Sequence, residues 1–106
     1  EKGSISAAWF ERVMKESPGA LLVVDIRDPK EYAAGTIKGA VNIPMGELAQ
    51  KIGSLPADQA IVFICSTGAR SGEAYDTAKL LRPDLNVYFL DAKVSYGGDG
   101  TFSIIL

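Results

Sequence analysis

Ala60-Ile61-Val62-Phe63-Ile64-Cys65-Ser66-Thr67-Gly68-Ala69-Arg70-Ser71 runs from an unbroken apolar stretch through four small residues to an arginine. The β-branched and aromatic start reads as a buried strand, and Ser71 to Leu81 continues as a helix with Ser71, Ala74, Ala78 and Leu81 on one face. Ala20 to Ile26 is a second run of the same kind, apolar enough to be covered on both faces, and Asn86 to Leu90 is a third. Between the runs lie amphipathic stretches. Ser6 caps a helix whose Trp9, Phe10, Val13 and Met14 share a core-facing stripe, ended by Ser17-Pro18-Gly19. Asp28-Pro29-Lys30-Glu31 opens a short helix with a capping box, and Gly35 is placed as the left-handed residue after its end. Gly39 to Pro44 is a brief strand, and a helix from about Glu47 to Ile52 leads to the Pro56 turn. Strands alternating with helices predict an α/β fold around a mostly parallel sheet. After Asp91 the pattern changes. Val94 and Tyr96, then Phe102, Ile104 and Leu106, alternate with polar residues around Gly97-Gly98-Asp99-Gly100, which predicts a hairpin.

Composition narrows the chemistry. The 106 residues carry one cysteine, no histidine and a net charge of −2. One domain over 1–106 is expected, with about 65% of the chain's surface buried on folding, enough for a core without metal or disulfide support. No intrachain disulfide can form, and histidine-dependent triads and His-based metal sites are excluded, so neither metal nor cofactor is expected. Basic residues form no stripe, which argues against nucleic acid, and no apolar run approaches the ~18 residues of a membrane span. There is no signal-peptide pattern and no initial Met, so the chain reads as a mature or excised piece. The compartment is left open, cytoplasm or periplasm if the source is bacterial.

The chemistry centres on Cys65 to Ser71. Ligands in open α/β sheets bind beyond the carboxyl ends of the strands, where this loop falls. Ser66, Thr67, Gly68 and Ala69 are small enough for the backbone to curl round the Cys65 sulfur, with amides aimed inward and a helix N-terminus behind. That field lowers the thiol pKa and favours the nucleophilic thiolate. Arg70 is expected to return over the sulfur and clamp an oxyanion. Arg27 either adds positive potential or pairs with Asp25, Asp28 or Glu31. Glu31 and Tyr32 read as cap and packing residues, Trp9 as helix core, and the hydroxyls of Ser66, Thr67 and Ser71 either meet substrate oxygens or serve the loop and cap.

Cys65-x4-Arg70-Ser71 after a hydrophobic strand resembles the active-site loop of rhodanese-like sulfurtransferases. Asp25-Ile26-Arg27, Glu31-Tyr32 and Gly35 to Pro44 are similar to that family's second signature, and the likeness covers about residues 6–91. It implies a central, mostly parallel sheet with helices on both faces. It also implies an enzyme in which Cys65 takes a sulfane sulfur from a small anionic donor such as thiosulfate and passes it, as a persulfide, to cyanide or a thiol. A sulfur-carrier or docking module of a larger protein is the alternative. A cysteine-dependent phosphatase or arsenate reductase is remote, because those loops place five residues between Cys and Arg where this one has four. Two departures stand out. Thr36 occupies the place of the family's usual histidine, and the hairpin tail over 92–106 replaces a Gly-Gly turn and a tryptophan-bearing helix. The hairpin either offers a surface to a partner domain or subunit or caps this domain's own core.

Overall fold

The computed structural model describes residues 2–105. Strands β1 (Ser4–Ile5), β2 (Leu21–Asp25), β3 (Val41–Asn42), β4 (Ala60–Ile64) and β5 (Val87–Leu90) form one sheet in the order β1-β5-β4-β2-β3. Every pairing in it is parallel. The central strand β4 is paired along its whole length with β2, Leu21 opposite Ala60 through Asp25 opposite Ile64.

Period-two alternation sends side chains of the central strands to two cores. Ile61, Phe63 and Cys65 face one core with Val24, Ile26, Val87 and Phe89. That core is closed by α3 (Leu48–Lys51) and by Ala74, Tyr75 and Ala78 of α4 (Ala69–Leu81). Val62, Ile64, Val23 and Leu90 face the other, closed by Phe10 of α1 (Ala7–Glu16) and by the tail. Helices thus cover both faces, as the run of alternating elements predicts. Short α2 (Pro29–Ala34) follows β2.

The tail is the expected hairpin, β6 (Lys93–Tyr96) paired antiparallel with β7 (Phe102–Ile105). Val94 pairs with Ile104 and Tyr96 with Phe102, and these four pack on the α1-side core. The Phe102 ring sits 5.8 Å from that of Phe10. The hairpin therefore caps this chain's own core, with Lys93, Ser95, Ser103 and Ile105 left on its outer face. Leu106, expected in the same alternation, lies outside the described residues.

Several local expectations are corrected. Strand β1 was not anticipated, since two residues are too few to show a period. The helix placed over Glu47–Ile52 is a single α-turn flanked by tighter 3₁₀ turns at Met45–Glu47 and Ile52–Ser54. Trp9 is 38% exposed rather than core, because α1 turns Phe10 inward and leaves Trp9 on a shallow groove with Arg12, Val13 and Tyr88. Leu81, at the frayed end of α4, is also exposed. Gly35 has φ 169°, which is extended backbone and not left-handed. Its lack of a side chain serves a close approach instead, since a Cβ there would lie 2.7 Å from the Gly97 carbonyl oxygen in the hairpin turn.

The capping role separates the two faces of the hairpin in a stability measurement. Phe102→Ala removes the ring packed on Phe10 and is expected to cost about 1–3 kcal/mol in urea unfolding, below the range for a fully buried ring. Ser103→Ala on the outer face is expected to stay within about 0.5 kcal/mol of the parent. Equal effects would mean that the hairpin does not close the core.

Candidate active site

At the carboxyl end of β4 the chain turns straight into α4, and Cys65 falls in the turn with 1% of its surface exposed. The first amides of a helix have no partner within the helix. Here the cysteine sulfur supplies one. Gly68 N donates to Sγ at 3.0 Å and Ser71 N at 3.4 Å, while Ser71 Oγ stands 3.5 Å away. The sulfur thus does for α4 what an N-cap side chain does elsewhere, and Gly68 at the cap position offers no side chain to compete. Burial pushes the Cys65 thiol up, but the Ser71 hydroxyl and the amides of Ser71, Thr67 and Gly68 outweigh it, so its pKa lies below the usual thiol value.

The tight curl depends on Gly68. Its φ of +96° lies in the left-handed region, and a Cβ would meet Asp91 Oδ1 at 2.6 Å and Asp91 Cα at 3.0 Å. Gly68 is thus explained by the wall behind it, where β5 leads into the hairpin. The same hairpin ties the loop down: Val94 N donates to Ser66 O at 2.9 Å, and the Tyr96 hydroxyl donates to Cys65 O at 2.8 Å.

Of the hydroxyls considered, Ser71 Oγ is fully buried, with Gly68 O at 2.9 Å, Leu90 O at 3.2 Å and Cys65 Sγ at 3.5 Å as alternative acceptors for its one proton. Thr67 Oγ1 accepts from Ala69 N. Both therefore serve the loop. Arg27 follows its structural reading. Its Nε and Nη2 fork onto buried Asp25 at 2.8–3.2 Å, and its Nη2 also donates to Gly35 O. The Tyr96 ring lies 3.8 Å from the guanidinium carbon. Thr36, in the place of the family's histidine, donates from Oγ1 to Asp25 Oδ2 at 2.8 Å. Tyr32 is a packing residue whose hydroxyl holds Ala40 O.

Arg70 has a partner that its sequence reading does not name. It does not form a hydrogen bond over the sulfur. Its guanidinium forks onto Glu31, Nη1 to Oε1 at 3.0 Å and Nη2 to Oε2 at 3.4 Å, with both side chains 37% exposed. Glu31 also closes the capping box of α2 by accepting from Asp28 N. The bond to Arg70 draws the Glu31 carboxyl pKa below its ordinary value, and the bond to Glu31 raises that of Arg70. Arg70 remains close enough to Cys65 for their charges to interact. Sequence reading gave Glu31 a capping duty and named it among three partners for Arg27, and nothing local signals a pairing with Arg70 across 39 residues. Tyr96 was also missed as a site residue. Its inward register beside Val94 was legible, but its contact with the Cys65 carbonyl was not.

Among the described residues no helix is long and apolar enough to cross a membrane. Comparison with known proteins agrees with the geometry. The family model described as the rhodanese-like domain matches residues 6–95. A putative sulfurtransferase of Bacillus subtilis, YtwF, is 39% identical over 66 residues, covering 62% of each protein. The thiosulfate:glutathione sulfurtransferase of Homo sapiens is 35% identical over 77 residues, covering 59% of this chain and 67% of the human protein. The crystal structure of a rhodanese-related protein from Thermoplasma volcanium superposes with a TM-score of 0.72 at 33% identity, covering 85% of this chain and 84% of that one. The matched stretch spans 31%, 62% and 45% of the length of three curated relatives. With the sheet, the cysteine loop and these likenesses in agreement, the chain belongs to the rhodanese-like domain family.

Proposed function

We propose that the protein takes a sulfane sulfur from thiosulfate or a related small anionic donor onto Cys65 and passes it to cyanide or a thiol. The observation that carries this reading is a buried, lone thiol held by the unpaired amides of a helix start. The Cys65 thiolate attacks the outer sulfur of the donor. The new Sγ–S bond forms as the donor's S–S bond breaks, and sulfite departs with the electron pair. The product, Cys–S–S⁻, carries one negative charge, as the thiolate did. In the second step cyanide or an external thiolate attacks the outer sulfur, forming thiocyanate or a new persulfide and returning the Cys65 thiolate. With no other cysteine in the chain, no internal thiol can compete for that sulfur. The name of the human relative pairs the same donor with a thiol acceptor.

The amides of Thr67, Gly68 and Ser71 act as preorganised donors to the sulfur anion, and Arg70 meets the donor's oxygens. No general base is required, since the amides have already favoured the thiolate. That several relatives extend well beyond this chain favours a second reading, a carrier module that hands its persulfide to a neighbouring domain. The two differ in turnover. The first requires multiple cycles with cyanide, the second a single loading.

Thiosulfate should add one sulfur to the intact mass, cyanide should remove it as thiocyanate, and Cys65→Ser should show neither event. An unmodified mass together with hydrolysis of an aryl phosphate would overturn the proposal. Arg70→Ala should raise the KM for thiosulfate about five- to tenfold, the loss expected of a charge-assisted hydrogen bond at a partly exposed site. The pH dependence follows from the lowered Cys65 pKa. The thiolate persists below the ordinary thiol range, so persulfide formation stays fast as pH falls toward neutrality and declines only through the lowered pKa. Ser71→Ala removes one of the groups that favour the anion, so its acid limb should move to higher pH. The rate of Cys65 alkylation by iodoacetamide against pH measures both.

A further inference from the structure

We infer that Glu31 is a specificity-determining residue that competes with anionic ligands for Arg70 and so sets which donor charge the site accepts. The inference rests on the sulfurtransferase reading for its donor, but the competition itself is a property of the ion pair. Three features of the structure lead to it. First, both guanidinium Nη atoms of Arg70 point at the Glu31 carboxylate, so the face that would fork onto an oxyanion is already occupied. Second, the pair is 37% exposed on both sides, so it is hydrated and exchangeable rather than locked. Third, Arg27, the other arginine near the loop, is already engaged elsewhere. Arg27 is buried and forked onto Asp25, with its flat face against Tyr96. Beyond the loop, Asp91 lies against Gly68, and Glu73 and Asp76 line the adjoining recess with Lys2.

A dianion that binds at the loop must therefore displace a carboxylate from Arg70 and then lie beside that carboxylate. A donor with a single charge suffers less repulsion, and one that reaches the sulfur without using Arg70 suffers least. Glu31 is held in place from its own side, because Asp28 N donates to Oε1 at 3.2 Å. It is thus a fixed competitor, anchored to the start of α2, and not a side chain free to swing away. Arg70 forks onto a ligand only by leaving Glu31.

Glu31→Gln tests this while keeping an acceptor for Asp28 N. The probe is sulfate, an inert dianion with the oxygen face of thiosulfate, and the readout is protection of Cys65 from iodoacetamide, a neutral reagent. Half-protection should need about three- to tenfold less sulfate in Glu31→Gln than in the parent, as expected when one unit charge is removed beside a partly exposed anion site. Steady-state transfer should follow. The KM for thiosulfate should fall by a similar factor and that for the monoanion benzenethiosulfonate by less, with kcat within about twofold. An unchanged or higher sulfate requirement in Glu31→Gln would overturn the inference, and so would equal KM changes for the two donors. NMR of the parent protein gives a check independent of any variant, since sulfate should shift the Arg70 side-chain signals if the ion pair opens and leave them in place if it does not. If sulfate behaves as described but no donor loads Cys65, the sulfurtransferase reading fails while the competition stands.

Discussion

A carboxylate with no access to water must have every lone pair occupied by a donor, and Asp25 sets that demand at the end of β2. Its donors come from three places: the Arg27 backbone amide, the Arg27 guanidinium and the Thr36 hydroxyl. Arg27 is itself buried, so it needs partners too, and it finds them in Gly35 O and the Tyr96 ring. Tyr96 in turn uses its hydroxyl on the carbonyl of Cys65. Asn42 ties β3 to the same corner by donating to the carbonyls of Asp25 and Arg27. One buried charge thus fixes the relative placement of the end of α2, strand β3, the hairpin and the cysteine loop. Replacing a single partner of such a pair leaves the other charge buried without compensation, which in comparable sites costs about 3–5 kcal/mol. Burial also keeps the Tyr96 phenol protonated, well above its ordinary range, so it remains a donor to Cys65 O.

This corner gives physical content to the two departures from the family's usual pattern. A threonine can stand where a histidine is usual because the position needs a donor to Asp25, and a hydroxyl at 2.8 Å meets that need. The hairpin can stand where a helix is usual because its inner face supplies what a closing element must supply: apolar cover for Phe10 and Val62, and a polar tip that reaches the loop. Gly35 is part of the same fit, its bare Cα allowing the hairpin turn to approach α2.

Much of this was legible from the chain. The three apolar runs are long and β-branched, so their placement in a parallel sheet needed only local information, and the hairpin showed its period of two. The cysteine loop was legible because its signals are local as well: a cysteine, four small residues, an arginine and a helix start lie within seven consecutive positions. What could not be read depends on contacts between distant segments. Trp9 and Phe10 are equally apolar, and only the packing of α1 decides which is buried. Gly35 was correctly singled out, but for its dihedral freedom rather than for a neighbour 62 positions away. The spacing of Arg70 suggested a clamp over the sulfur, whereas a carboxylate on another helix holds it first.

The pairing of both arginines changes where the site's positive potential comes from. Arg27 is paired with Asp25 and Arg70 with Glu31, so the sulfur is held chiefly by backbone amides and a helix start. Those dipoles have fixed positions and do not titrate. A thiolate stabilised this way needs no side chain that must itself be charged or move. A thiolate stabilised mainly by a nearby cation would lose that support whenever a ligand drew the cation away. Here the two tasks are separate: the amides favour the nucleophile at all times, and Arg70 is available to meet an incoming anion once it leaves Glu31. Under the proposed function that division needs no histidine, since ionising the thiol and receiving the donor would both fall to groups other than an imidazole.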